Sequence, residues 1–144
     1  MFKRILVPTD GSDITAHAVD TAIQLAKVHG AQLLTLSVTE PFPYSAVSEI
    51  QPVPPQEFIE AQQRVAHRRV EDVCAAAAAQ GIACRAHTIE ALHAWEAIVD
   101  HAKAEAVDLI VMASHGRKGF AALLLGSETQ KVLTHVELPV LIVR

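Results

Sequence analysis

A chain of 144 residues is a usual length for one domain and short for two. Its formal net charge of −4, with no block of Lys or Arg, argues against a nucleic-acid or anionic-membrane surface. Hydrophobic residues make up 51% and aromatics only 4%, so the core must be built from Ala, Val, Leu and Ile, as in layered α/β proteins.

Met1-Phe2-Lys3-Arg4 runs directly into a strand pattern, without the apolar region or cleavage site of a signal peptide. No segment approaches the ~20 apolar residues that span a bilayer. The two cysteines, Cys74 and Cys84, are too few for a disulfide framework and read as reduced, packed thiols. A cytoplasmic location with no membrane partner is expected. The histidines, His17, His29, His67, His87, His93, His101, His115 and His135, show no HxH or HExxH spacing. Apart from His115 they read as surface or cap residues.

In chain order, Arg4-Ile5-Leu6-Val7-Pro8 predicts a buried strand, ended by the turn residues Thr9-Asp10-Gly11-Ser12. Ser12 or Asp13 can cap the next helix, whose apolar stripe is Ile14, Ala18, Ala22, Leu25 and Ala26 and whose stop is Gly30. Ala31 to Thr39 is a second strand. Glu40 to Gln56 carries five prolines and reads as a long loop, either a lid or partner surface or a tolerated insertion. Glu57 to Gln80 is helical with Gly81 as its cap, and Ile82 to Ile89 is a third strand. Trp95 to Ala106 is a helix with Trp95, Ile98, Val99 and Ala102 on one face. Val107 to Met112 is a fourth strand, Ser127 to His135 a last helix, and Leu138 to Val143 a fifth strand.

Strand and helix alternate throughout, which predicts an open, doubly wound five-stranded parallel sheet with helices on both faces and strand order 3-2-1-4-5. A fifth strand at the sheet edge would expose an unpaired ladder, so a homodimer through Val140 to Val143 is expected.

Ligands of such sheets lie beyond the carboxyl ends of the strands where the order reverses, here between strands 1 and 4. The loops meeting there are Pro8-Thr9-Asp10-Gly11-Ser12 and Ala113-Ser114-His115-Gly116-Arg117-Lys118-Gly119, the latter leading to Gly126-Ser127-Glu128-Thr129-Gln130. A helix starting after Gly126 offers free N–H groups and a positive dipole end to a phosphate. Ser127 and Thr129 add hydroxyls, Arg117 and Lys118 add charge, and Asp10 can accept hydrogen bonds from ribose. Ser127 with Gln130 also reads as a capping box, which needs no ligand.

These residues bring out a resemblance. Ile5 to Ser12, Asp108 to Met112 followed by Ser114-His115-Gly116-Arg117, Leu124-Leu125-Gly126-Ser127, and Pro139 to Val143 resemble the universal stress protein family over essentially the whole chain, residues 1–144. The resemblance implies a single domain of the adenine nucleotide alpha hydrolase-like fold. ATP-binding members carry Gly, two residues, Gly, nine residues, then Gly with Ser or Thr. Gly116, Gly126 and Ser127 fit that spacing, whereas Ala113 stands where the first glycine would be, which is tolerable if its φ is negative and its methyl points away from the ligand. By resemblance, Pro8, Thr9, Asp10 and Val38 would meet the adenosine half. Met112, Ala113 and His115 would line the wall, and Gly116, Arg117, Gly126, Ser127, Glu128 and Thr129 would surround the phosphates. Glu90 to Trp95 lacks the glycine-containing turn of many relatives, so no residue is carried over there.

The expected function is an ATP-binding, dimeric stress-response sensor or adaptor, with Mg2+ or Mn2+ as an ion that could accompany the phosphates. The alternatives are the same fold without nucleotide, acting on an unknown protein partner, and a slow ATP hydrolase assisted by His115. A GxxxxGK[ST] phosphate loop, a kinase signature set and a Gly-x-Ser-x-Gly elbow are all missing. Asp10 and Glu128 are the nearest carboxylates, and they form no recognisable metal set.

Overall fold

Short runs rich in Val, Leu and Ile become strands here because helices cover them on both faces. The computed structural model describes residues 1–41, 55–116 and 125–144. Its elements are β1 (Arg4–Pro8), α1 (Asp13–His29), β2 (Gln32–Thr39), α2 (Pro55–Ala79) and β3 (Cys84–Glu90), then α3 (Ala94–Ala104), β4 (Leu109–Ala113), α4 (Ser127–His135) and β5 (Val140–Val143). Every strand pairing is parallel, and the sheet order is β3-β2-β1-β4-β5, as expected from the alternation.

Successive strand residues feed opposite layers. Ile5, Val7, Leu33, Leu109 and Val111 pack under α1 and α2, against Ala18, Ala22, Val73 and Ala77. Leu6, Leu34, Leu36, Ile110 and Met112 pack under α3 and α4, against Ile98, Ala102 and Val132. Asp108, just before β4, fixes the start of β1: its carboxylate accepts the N–H groups of Lys3 (2.8 Å) and Arg4 (3.1 Å). The Arg4 guanidinium in turn donates to the Glu105 carbonyl at 2.6 Å. Among the described residues no helix is long and apolar enough to cross a membrane.

Several boundaries differ from the sequence reading. α2 starts at Pro55 rather than Glu57, since a proline in the first turn removes no intrahelical bond. Most of the proline-rich loop, residues 42–54, lies outside the described residues, and so does its expected role as a lid or partner surface. β3 begins at Cys84 rather than Ile82, β4 spans Leu109–Ala113 rather than Val107 to Met112, and β5 is shortened to Val140–Val143.

α3 stops at Ala104, short of the expected Ala106, because Ala106 takes a left-handed φ of 51°. The N–H of Ala106 then reaches Lys103 O (3.2 Å) and that of Val107 reaches Ala102 O (2.9 Å). The same closure occurs after α1 at Gly30 (φ 64°), where the Ala31 N–H meets Ala26 O at 2.9 Å. A glycine marks that stop in the sequence; nothing marks the one at Ala106.

Two expectations about side chains are overturned. Cys74 and Cys84 are not free thiols: the return from α2 through Gly81 into β3 brings their Cα atoms to 5.2 Å, and they form a disulfide. One lies in a helix and the other in a strand, so the turn decides the pairing. His101, expected at the surface, is 7% exposed on the inner face of α3, where its ring meets that of His87.

Left-handed φ costs a non-glycine residue about 1–2 kcal/mol. Ala106→Gly is therefore expected to stabilise the protein by about 0.5–1 kcal/mol, after the glycine's larger unfolded-state entropy is offset. Urea unfolding checks this, and an unchanged or lower midpoint would show that Ala106 bears no such cost.

Candidate functional site

Connections leave β1 and β4 in opposite directions, so a crevice opens beyond their carboxyl ends. On the β1 side, Thr9 continues the ladder through its N–H to Leu36 O (2.9 Å) and is 8% exposed. Gly11, at φ 78°, donates its N–H to Thr9 Oγ1 at 3.2 Å. Asp10 Oδ1 accepts both the Ser12 N–H (2.9 Å) and the Thr15 hydroxyl (3.1 Å), so this turn fixes the direction of the carboxylate. Ser12 is the N-cap of α1 by position, but its side chain makes no capping bond.

On the β4 side, backbone hydrogen bonds pull the two ends of a loop together. The Ser114 N–H donates to Val143 O (2.8 Å), and the Ser114 carbonyl accepts the Gly126 N–H (2.6 Å). Thr129, 3% exposed, donates its hydroxyl to the Ala113 carbonyl at 3.1 Å. The start of α4 is thereby held beside the end of β4.

Gly126 is the N-cap of α4 and has no side chain with which to satisfy the first-turn N–H groups. The expected Ser127–Gln130 capping box does not form. Ser127 is instead the first helical residue, and the Gln130 side-chain amide reaches Leu125 O at 3.3 Å. The positive end of the helix dipole is left without a side-chain cap from its own N-cap residue.

Two close approaches explain why glycines stand here. A Cβ on Gly116 would lie 2.8 Å from Asp10 Oδ2, so the two loops touch at this point. A Cβ on Gly126 would lie 3.1 Å from His115 Cα and 3.3 Å from Ser114 O. The structure therefore brings Asp10 to Gly116, and His115 and Ser114 to Gly126, with Ser127 opening α4 beside them. Pro8 ends β1 opposite Leu36, and Val38 and Met112 pack into the α3–α4 layer. Ala113 packs its methyl into the α1–α2 layer, and among the described residues Ala106 alone of the non-glycines has a positive φ. Glu128 turns to α3, where its Oε2 accepts the Trp95 N–H at 2.8 Å. Arg117 and Lys118 lie outside the described residues.

Sequence reasoning passed over Thr15 and Ser114, which hold Asp10 and Gly126 in place. It also passed over a cleft of about 1060 Å3 that runs from Thr9, Gly11 and Ser12 between α1 and α2. Arg64, Arg68 and Arg69 lie on its α2 wall, and Arg69 packs over Gly11. Their helical spacing would have shown the cluster where a search for unbroken basic runs did not. Among the described residues, no group of three or more His, Cys, Asp or Glu side chains is placed to hold a metal ion.

Gly126→Ala is expected to destabilise the ligand-free protein by about 1–3 kcal/mol, because the new methyl meets backbone atoms that have little room to give. Gly116→Ala should cost less, since only a carboxylate has to turn aside. Thermal unfolding of both variants checks the order, and a Gly126→Ala protein as stable as the parent would mean a loosely packed turn.

Residues 1–144 match the Universal stress protein family. The chain is 36% identical to universal stress protein YxiE of Bacillus subtilis over 149 residues, covering all of both chains. It is 30% identical to universal stress protein MJ0531 of Methanocaldococcus jannaschii, covering all of this chain and 83% of that one. The solved structure of MJ0577 from the same archaeon superposes with a TM-score of 0.84 at 27% identity, over 99% of this chain and 96% of that one. Two structures below 25% identity share the fold: a universal stress protein in complex with cAMP (TM-score 0.71) and one from Archaeoglobus fulgidus in complex with dAMP (0.69). The chain belongs to the universal stress protein family.

Proposed function

We propose that this protein binds an adenine nucleotide, ATP, in the crevice between the β1 loop and the start of α4, and acts as a dimeric stress-response sensor or adaptor. The observation that carries the reading is the glycine-capped N-terminus of α4, held against His115 and Ser114 beside the Asp10–Gly116 contact. Uncapped N–H groups and a positive dipole end suit a phosphate. Asp10, oriented by Ser12 and Thr15, can accept from ribose hydroxyls through the oxygen that faces Gly116. The negative φ and buried methyl of Ala113 meet the condition under which Ala replaces the first motif glycine. The complexes of two proteins of this fold with cAMP and dAMP support the same class of ligand.

In this reading Pro8, Thr9, Asp10, Val38, Met112, Ala113 and His115 surround adenosine. Gly116, Gly126 and Ser127 would surround the phosphates together with the backbone N–H groups of Glu128 and Thr129, whose side chains are engaged with Trp95 and Ala113, and Arg117 would add a positive charge. An accompanying Mg2+ or Mn2+ would be held chiefly by phosphate oxygens and water, since no protein ligand cluster stands ready. The dimer would form through β5, which pairs with β4 on one side and keeps Leu141 38% exposed.

Titration calorimetry on ligand-stripped protein should give a measurable Kd for ATP. Asp10→Ala should weaken it about tenfold or more, the worth of one hydrogen bond to a charged group. Gly126→Val should abolish binding while the protein stays folded at lower temperature. Absence of binding heat at high concentration, together with no nucleotide released on denaturation, would leave a protein that acts through its surface alone. Light scattering should report a dimer, and Leu141→Asp should shift it to monomer; a parent chain that runs as a monomer would overturn the β5 interface.

A further inference from the structure

Away from the crevice, two titratable rings meet inside the described protein. The centroids of His87 on β3 and His101 on α3 are 4.6 Å apart, with their planes tilted by 55°. His87 Nδ1 and His101 Nε2 are both buried without a hydrogen-bond partner among the described residues. A neutral imidazole forfeits one weak group in such a place. An imidazolium carries protons on both nitrogens and has to find acceptors for them, so it bears the full cost of a buried, unsatisfied charge.

The surroundings offer little relief. Arg85, also on β3, pairs with the Glu105 carboxylate just past α3 at 2.8 Å, so the nearby carboxylate is already engaged. From β1, Arg4 donates to the Glu105 carbonyl. β2 contributes the apolar Leu34, Leu36 and Val38 to this layer, and Ile98 and Ala102 of α3 belong to it as well. Burial above all, then the neighbouring His87, with a smaller push from Arg85, hold the His101 pKa below its ordinary value of 6.5, while Glu105 acts in the opposite sense.

We propose that the His87–His101 contact is an acid-sensitive latch between α3 and β3, and that releasing it loosens the start of α4. The mechanical link is direct. Trp95, in the first turn of α3, donates its N–H to Glu128 in the first turn of α4, and its indole stacks on His135 at the other end of that helix (4.3 Å). Glu128 is followed by Thr129, whose hydroxyl holds the end of β4. A shift of α3 therefore acts on both ends of α4 and on the turn that Gly126 caps.

The latched state requires a neutral His101, whereas the released state lets it titrate at its ordinary value. As pH falls through 6.5 the released state takes up a proton first, and the equilibrium moves towards it. The latch is thus fully closed above that range and opens below it. The consequence for ligand binding rests on the nucleotide reading, but the latch does not.

Amide hydrogen exchange of α3 in the full-length, ligand-free protein tests the latch, with rates corrected for the intrinsic effect of pH. Protection of α3 should fall about tenfold between pH 7.5 and 5.0, as proton uptake favours the released state. His101→Phe, which keeps a ring and removes the proton site, should hold the fall to less than about twofold. His87→Phe should blunt it as well, and serves if the first variant folds poorly. Trp95, the chain's single tryptophan, gives a second readout in a His135→Gln background, where a protonated neighbour cannot quench it. Unchanged protection in the parent, or an equal fall in parent and both variants, would overturn the proposal. If the latch opens and ATP binds, affinity should weaken with acid in the parent and hold in His101→Phe. A chain that binds no ATP at any pH would remove the nucleotide reading and leave the exchange result standing.

Discussion

The hydrogen bond from the Gly126 N–H to the Ser114 carbonyl, 2.6 Å long, is the contact on which the crevice depends. It joins the two ends of a long connection and sets the first turn of α4 directly beside the end of β4. A glycine permits this approach, since a Cβ at position 126 would lie 3.1 Å from the His115 backbone. Thr129 reinforces the closure by donating to Ala113, one residue before Ser114. Ser114 itself is tied to Val143 of β5, so the turn is braced against the sheet on its far side as well.

Asp10 and Glu128 are each tied to backbone N–H groups. One Asp10 oxygen is spent on Ser12 and Thr15, which orients the other towards Gly116. Glu128, although in the first turn of α4, is turned to the Trp95 N–H and serves as a link between helices. That carboxylate is engaged with α3 rather than with the N-terminus of its own helix.

β3 is secured from both faces by unusual contacts. On one side the Cys74–Cys84 disulfide ties it to α2, and on the other the His87 ring meets His101 of α3, next to the Arg85–Glu105 ion pair. β3 is an outer strand of the sheet with a single pairing partner, β2. Covalent and ring contacts add to that pairing from its two faces, and the ring contact is the one whose strength varies with proton activity.

The strand and helix pattern, the parallel sheet and its order follow from sequence alone, because apolar period and right-handed crossovers leave few alternatives. The loop residues Asp10, His115, Gly116 and Gly126 could also be singled out, since turn chemistry at a switch point is local and readable. Tertiary structure decided the rest. Ala106 ends α3 in a left-handed conformation that no glycine announces, and Gly126 takes the capping position that Ser127 seemed to hold. Glu128 bonds to Trp95, 33 residues away in sequence, and the cysteines met across a turn. His101 became a core residue because β3 placed another imidazole against it. Periodicity reports which face of an element is buried, whereas the partner that a polar side chain finds there depends on packing between elements distant in the chain.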